Sequence, residues 1–157
     1  MNFNYLVIEG NIGAGKTSLA RKIASDANAR LIQEQFDENP FLPKFYKDPD
    51  RYAFPVELAF LADRYQQLKN EIAHRDLFQH KTVADYYFVK SLIFSRNTLK
   101  EDEYQLYRRL FEIIQQQIPI PDLYIYLHVD IDNLLKNIKK RGRSYEQGIT
   151  RSYLQSL

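Results

Sequence analysis

The chain has 157 residues, with 22 Lys and Arg against 20 Asp and Glu, a net charge of +2 and no cysteine. These values predict one domain that builds its own core, and they exclude disulfides, thiolate metal sites and a strongly basic nucleic-acid binder. No segment approaches the roughly 20 apolar residues that span a membrane, and the N-terminus lacks the features of a signal peptide. We therefore expect a cytoplasmic protein without nucleic-acid or membrane partners.

Apolar runs that end at turn residues predict four strands. The strands are expected over residues 3–9, 29–34, 82–87 and 123–129. Helical spacing of apolar residues predicts helices between them. The helices are expected over 16–27, 42–46, 51–73, 88–96, 101–117 and a segment that ends near 140, with another beginning near 152. Asp130 or Asp132 is expected to cap the helix that ends near 140. Strands that alternate with helices predict an α/β fold with a parallel sheet.

Three of the five glycines fall within six residues, and the segment GNIGAGKT fits the pattern G-x-x-x-x-G-K-[ST] without exception. Such a loop turns successive backbone N–H groups toward a phosphate, at the positive end of the following helix. Lys16 is expected to reach the β- and γ-phosphates, and the Thr17 hydroxyl to ligate Mg²⁺. The phosphate-binding residues are predicted to be Gly10, Asn11, Gly13, Ala14, Gly15, Lys16, Thr17 and Ser18.

The loop alone does not distinguish a kinase from a GTPase or a motor ATPase. A guanine-reading N-K-x-D sequence does not occur, and a motor normally needs a longer chain. A short α/β chain with a late arginine-rich loop favours a kinase that acts on a small molecule.

Two acidic residues are predicted to lie at the carboxyl ends of strands, where ligands bind in open α/β sheets. Glu34 ends the second predicted strand and is suited to take the proton of an attacking hydroxyl. Asp85 lies at the end of the third, where a carboxylate holds Mg²⁺ or one of its waters. Each has a plainer alternative, a solvated loop residue or a strand-end cap.

These segments together resemble the deoxynucleoside kinase family, and in particular bacterial members that act on purine deoxynucleosides. The resemblance rests on the segments YLVIEGNIGAGKTSLA, EQFDENPFLPKFY, DPDRYAFPVELAFLADRY and KKRGRSYEQGITRSYLQSL, and on the strand that ends in Asp85. It implies a P-loop kinase fold, with a parallel sheet flanked by helices. It also implies phosphoryl transfer from ATP, with Mg²⁺, to the 5′-hydroxyl of a deoxynucleoside for nucleotide salvage.

The resemblance assigns roles to five residues of the acceptor pocket. Glu34 corresponds to the general base, and Tyr46 and Glu146 to contacts with the sugar 3′-hydroxyl. Glu57 falls where the family usually has a glutamine that faces the base, and Arg64 matches an arginine near the base.

Two arginines, Arg141 and Arg143, match the catalytic lid arginines that close over the transferred phosphoryl group. The plainer alternative is that the basic residues of this region only neutralise the negative end of a helix. The intact phosphate loop favours the lid.

Two positions depart from the family pattern. Tyr86 replaces an arginine that normally follows the acidic residue of the third strand, and a tyrosine cannot supply that charge. Lys90, one helical turn onward, is a candidate to compensate. An ionised Glu57 only accepts hydrogen bonds where an amide also donates, so base preference is not simply transferable. Deoxyadenosine is the expected purine substrate.

Two alternatives stay open at the level of sequence. A nucleoside monophosphate kinase would need further basic residues near the acceptor, and only Arg51 and Arg64 are candidates. A non-catalytic nucleotide-binding subunit is favoured by Tyr86 and opposed by the intact Gly15-Lys16-Thr17 together with Glu34.

The resemblance also has implications for the oligomeric state and for the length of the domain. It implies a homodimer formed through helices, for which the aromatic and leucine-rich stretches 51–73 and 88–111 are candidates. Family members continue past the lid with a long helix, a fifth strand and a final helix, whereas this sequence stops at Leu157. We therefore expect residues 1–157 to form a single kinase domain that is C-terminally truncated and has four strands.

Overall fold

The structure is a computed structural model that describes residues 3–35, 39–73 and 80–157. Its strands are β1 (Tyr5–Gly10), β2 (Arg30–Ile32), β3 (Thr82–Ala84) and β4 (Leu123–Leu127). Its α-helices are α1 (Lys16–Asp26), α2 (Leu42–Lys47), α3 (Pro49–Ala73), α4 (Lys90–Thr98), α5 (Glu101–Gln115), α6 (Ile131–Arg141) and α7 (Arg151–Ser156), and a 3-10 turn covers Ser144–Glu146.

The chain divides into two compact units. The sheet unit comprises Met1–Gln33, Leu77–Tyr87 and Pro121–Leu157, and the helical unit comprises Glu34–Asp76 and Phe88–Ile120. The prediction of a single domain stays a prediction.

The sheet unit contains a four-stranded sheet in the order β2-β3-β1-β4. All neighbouring pairs are parallel. This arrangement confirms the predicted α/β class and its four parallel strands. Non-consecutive strands lie side by side because the chain crosses over through helices before it returns to the sheet.

The core of the sheet unit follows from the apolar run in β1. Leu6 and Ile8 are fully buried and pack with Ala20 and Ala24 of α1. Small alanines on the buried face of α1 let the helix approach the sheet closely. The start of β1 is held by Asp122, whose carboxylate accepts hydrogen bonds from the backbone N–H groups of Asn4 (2.7 Å) and Tyr5 (2.8 Å).

The helical unit is organised around α3, a helix of 25 residues. Its buried residues include Leu61 and Leu68, and the rings of Phe88 and Phe111 stack at 4.8 Å nearby in the same unit. Polar residues interrupt every helix, and none of the helices in the described ranges is both long and apolar enough to cross a membrane.

The strands are shorter than the apolar runs predict. β2 ends at Ile32 and β3 at Ala84, and the ladder closes with a hydrogen bond from the Asp85 N–H to the Ile32 carbonyl (3.1 Å). Glu34 and Asp85 therefore follow their strands instead of ending them. Asp130 does occupy the position before α6, but its side chain makes no capping hydrogen bond.

Candidate active site

The loop between β1 and α1 is shaped by three glycines with positive φ, at Gly10 (151°), Gly13 (84°) and Gly15 (91°). Two of them also lie where a side chain would not fit. A Cβ on Gly10 would lie 2.6 Å from the Leu127 carbonyl oxygen, and one on Gly13 would lie 2.9 Å from the Leu134 carbonyl oxygen. Gly10 and Gly13 are thus required by close backbone packing as well as by conformation, and Gly15 by conformation.

Two of the loop residues between the glycines, Ile12 and Ala14, are apolar and pack on the C-terminal helices. Ile12 and Ala14 contact a cluster of buried side chains from α6 and α7. The buried members of that cluster are Leu134, Ile138 and Leu154. The phosphate loop therefore rests on α6 and α7.

Two asparagines tie the loop to these helices by hydrogen bonds. Asn137 Nδ2 donates to the Gly13 carbonyl (2.8 Å), and Asn11 Nδ2 donates to the Leu154 carbonyl (2.8 Å). Asn137 was not predicted, because an asparagine on the polar face of an amphipathic helix has the same pattern as a solvated surface residue.

The Lys16 ammonium lies across the loop, where Nζ donates to the carbonyls of Gly10 (2.8 Å) and Asn11 (3.0 Å). A positive charge is therefore held at the concave side of the loop, at the N-terminus of α1, where anions are favoured.

Two side-chain oxygen atoms are joined by a hydrogen bond at the end of the loop motif. Thr17 Oγ1 donates to Asp85 Oδ2 at 2.5 Å, and Asp85 is buried. A hydroxyl and a carboxylate are hard oxygen ligands of the kind that Mg²⁺ takes alongside substrate phosphates. The pair fits the predicted Mg²⁺ site, and no group of three or more His, Asp or Glu side chains elsewhere in the described ranges could hold a metal ion.

The helical unit contains a buried carboxylate that two cations share. Glu34 Oε1 accepts from Arg64 Nε (2.9 Å) and Nη2 (2.8 Å), and Glu34 Oε2 pairs with Lys90 Nζ. Burial alone would raise the pKa of Glu34, but Lys90 and Arg64 outweigh it and lower the pKa to about 2. Glu34 is therefore ionised throughout the physiological range.

The same network extends along α3. Arg64 Nη1 donates to the Ser91 hydroxyl (3.0 Å), which fixes the plane of the guanidinium. Burial raises the pKa of Glu57 to about 7, and the charge of Arg64 and the hydroxyl of Thr98 offset this only in part. Glu57 Oε2 is buried and has no hydrogen-bond partner among the described residues. Sequence reasoning singled out Glu57 and Arg64 but missed Ser91, which carries no pattern of its own.

The remaining predicted residues have distinct environments. Tyr46 is exposed and its ring lies 5.6 Å from that of Phe45. Tyr86 is fully buried.

The predicted lid residues form a cluster of their own in the sheet unit. Glu146 is buried and accepts from Arg141 Nε (3.0 Å) and Nη2 (2.5 Å) through one carboxylate oxygen. Arg143 Nη1 approaches the other oxygen at 3.4 Å. Gly142 (φ 72°) separates the two arginines and ends α6. The structure thus brings Arg141, Arg143 and Glu146 together in the segment that follows α6.

A parallel sheet, a phosphate loop that opens a helix, and an oxygen pair beside it define a P-loop nucleotide-binding protein of the α/β class. The family model for deoxynucleoside kinase matches residues 6–157. The chain therefore belongs to the deoxynucleoside kinase family, and it is a kinase.

Relatives and solved structures agree with this assignment. A deoxyguanosine kinase of Bacillus subtilis is 35% identical over 153 residues, which cover 98% of this chain and 74% of the relative. A deoxyadenosine kinase of Lactobacillus acidophilus is 34% identical, over 90% of this chain and 68% of the relative. The structure of a deoxyadenosine kinase from M. mycoides with bound dATP superposes with a TM-score of 0.82 at 26% identity, over 97% of this chain and 78% of that chain.

The Gly13→Ala substitution should destabilise the protein by about 1–3 kcal/mol, because it forces a positive φ on alanine and pushes Cβ into the Leu134 carbonyl. Urea unfolding measures the loss. Gly148→Ala is the matched control, since a Cβ there meets no atom within 4 Å. Equal effects of the two substitutions would contradict the close packing of the loop.

Glu57 should make the protein less stable as pH rises from about 4.5 to about 7. The folded state keeps the Glu57 proton up to a pKa of about 7, whereas the unfolded chain releases it near 4.5, so the folded state binds more protons in this window. The loss is at most about 3 kcal/mol, at 1.36 kcal/mol per pKa unit. In urea unfolding from pH 5 to pH 8, Glu57→Gln should gain stability relative to the wild type, and a pH-independent difference would refute the buried neutral carboxyl.

Proposed function

We propose that the chain transfers the γ-phosphoryl group of ATP to the 5′-hydroxyl of a deoxynucleoside. The observation that carries the proposal is the buried Glu34 carboxylate, kept ionised by Arg64 and Lys90, in a chain that also has a complete phosphate loop. The relatives' names support the acceptor, since they are kinases of deoxyguanosine and deoxyadenosine.

The donor phosphates bind to the loop from Gly10 to Ser18 in this proposal. Its backbone N–H groups, the Lys16 ammonium and the positive end of α1 all favour a polyphosphate. Asn11, Gly13, Ala14 and Gly15 act through their backbone. Lys16 neutralises charge that develops on the phosphates during transfer.

Mg²⁺ is the proposed metal, and Thr17 and Asp85 are the residues that would hold it. When bound, the ion supplies positive charge to the phosphate oxygens. The chain's own contribution is to hold the two oxygen ligands together, as the 2.5 Å hydrogen bond already does.

Glu34 acts on the acceptor. The 5′-oxygen forms a bond to the γ-phosphorus while the bond from that phosphorus to the β–γ bridging oxygen breaks, and the hydroxyl proton passes to Glu34. A carboxylate with a pKa of about 2 is a weak base. It therefore orients the hydroxyl and accepts the proton late, which suits the loose transition state of phosphoryl transfer.

Tyr46, Glu57 and Arg64 of the helical unit are the proposed nucleoside-binding residues, with Tyr46 on the sugar. Glu146 of the sheet unit is also a proposed sugar contact. A neutral Glu57 carboxyl both donates and accepts, as an amide does. Adenine offers a donor and an acceptor on adjacent positions, so the raised pKa of Glu57 supports a purine substrate and deoxyadenosine first.

Arg141 and Arg143 are the proposed lid residues. Both already share the Glu146 carboxylate, which keeps two positive charges in one short segment. Such charges stabilise the transferring group when a mobile loop closes.

Further proposals concern the whole molecule. The family match runs without a break over residues 6–157, which supports one catalytic domain. A homodimer is supported by apolar side chains that are exposed on the helical unit: Leu58, Val89, Ile93, Leu106 and Ile113. ATP is abundant in the cytoplasm, which supports a cytoplasmic location for nucleotide salvage.

The decisive test is a panel of deoxynucleosides assayed with ATP and Mg²⁺. We expect turnover of purine deoxynucleosides, fastest with deoxyadenosine, and none without Mg²⁺. Preferred turnover of dAMP or dTMP would instead indicate a nucleoside monophosphate kinase. ATP binding by folded protein without any transfer would indicate a non-catalytic subunit, and either result would refute the proposal.

Glu34→Gln should lower kcat by about 10²–10⁴-fold while KM for the nucleoside changes little, because the amide cannot take the hydroxyl proton. Steady-state kinetics measures both constants, and thermal unfolding shows whether the variant is folded. Glu112→Gln is the control, since Glu112 lies in an exposed pair with Arg108. A Glu34→Gln enzyme with wild-type kcat would remove Glu34 from the reaction.

A further inference from the structure

Two cations hold Glu34, and they differ in how the structure fixes them. Arg64 places both Nε and Nη2 on one carboxylate oxygen and anchors Nη1 on Ser91. Lys90 contacts the other oxygen, and its ammonium also lies 5.3 Å from the centre of the Phe94 ring. A planar guanidinium with three fixed bonds sets orientation, whereas an ammonium on a flexible stem acts as a point charge.

Glu34 and its two cations are buried, so the negative charge of Glu34 must be compensated by the positive charges beside it. Only 7% of the Arg64 side chain, 8% of the Glu34 side chain and 13% of the Lys90 side chain is exposed. A carboxylate this deep is strongly disfavoured unless opposite charges compensate it. Lys90 and Arg64 both oppose the effect of burial on Glu34.

Arg64 also interacts with Glu57, which lies two helical turns earlier on α3. The ion pair that Lys90 makes within the described ranges is the one with Glu34. Glu34 is therefore compensated from two helices, by Arg64 of α3 and by Lys90 of α4.

We propose that Lys90 is a positioning residue for the phosphoryl transfer, which holds Glu34 ionised and fixes the orientation of its carboxylate toward the acceptor hydroxyl. The inference rests on the proposed function. It also assigns the source of a cation that Tyr86 cannot provide, because a phenol carries no positive charge.

Within the described ranges, Lys90 contacts Glu34 from α4 and Arg64 contacts it from α3, and Glu57 interacts with Arg64. Arginine does not titrate in an assay range, and ATP and Glu57 titrate in every variant. A change on the acid side of the pH profile that depends on residue 90 therefore reports on Glu34.

The experiment compares kcat and KM from pH 4.5 to pH 9 for the wild type, Lys90→Met, Lys90→Arg and Lys69→Met. Lys69 is the matched control, an exposed lysine on α3 that hydrogen-bonds to Tyr65. Lys90→Met should lower kcat about tenfold to a hundredfold with KM within about threefold. The wild type should show no acid limb from Glu34 in this range, because its pKa is about 2, whereas Lys90→Met should bring an acid limb into the range, because the burial of Glu34 is then opposed by Arg64 alone.

Lys90→Arg should recover most of kcat and the wild-type pH profile, and Lys69→Met should behave as the wild type. With a merely structural Lys90, Lys90→Met would lower the melting temperature without bringing in an acid limb, and that result would overturn the proposal. Wild-type kinetics in Lys90→Met would overturn it as well. If Lys90→Met does not fold, Lys90→Gln takes its place, with the same criterion.

Failure of the proposed function would look different. In that case the wild type itself phosphorylates no deoxynucleoside at any pH. An active wild type with a pH profile that does not depend on residue 90 refutes only the role of Lys90.

Discussion

A buried carboxylate that must stay charged is the constraint on which the helical unit and the proposed acceptor chemistry depend. Desolvation works against the ionised form of Glu34, so the protein surrounds it with Arg64 and Lys90 and lowers its pKa to about 2. Residues of two helices thereby stabilise this one side chain. Helix α3 supplies the guanidinium, and α4 supplies both the ammonium and the Ser91 hydroxyl that fixes Arg64. Preorganised charge of this kind suits a reaction that needs positioning more than a strong base.

The phosphate loop depends on a different constraint, close backbone packing. Gly10 and Gly13 lie where a Cβ would meet the carbonyls of β4 and α6, and Ile12 and Ala14 pack on the C-terminal helices. The loop is held by contacts that lie outside its own motif. Its conformation thus depends on α6 and α7 as well as on the glycines.

Much of the architecture follows from local patterns. The four strands, the helices between them and the phosphate loop were all predicted, because alternation and helical spacing are visible in short windows. Strand ends were predicted less well, since β2 and β3 stop where the ladder stops, not where the apolar run stops. For Glu57, residue type alone predicts an ionised acceptor, whereas its buried environment favours the proton.

The sequence by itself determined the family, the phosphate loop and the identity of the charged residues, because these are properties of short, ordered motifs. Only the tertiary structure decided which charges meet. Lys90 reaches Glu34 across 56 positions of the chain, and Asn137 reaches the Gly13 carbonyl across 124. No local window contains such pairs, and the pKa of a side chain depends on the groups that folding places around it.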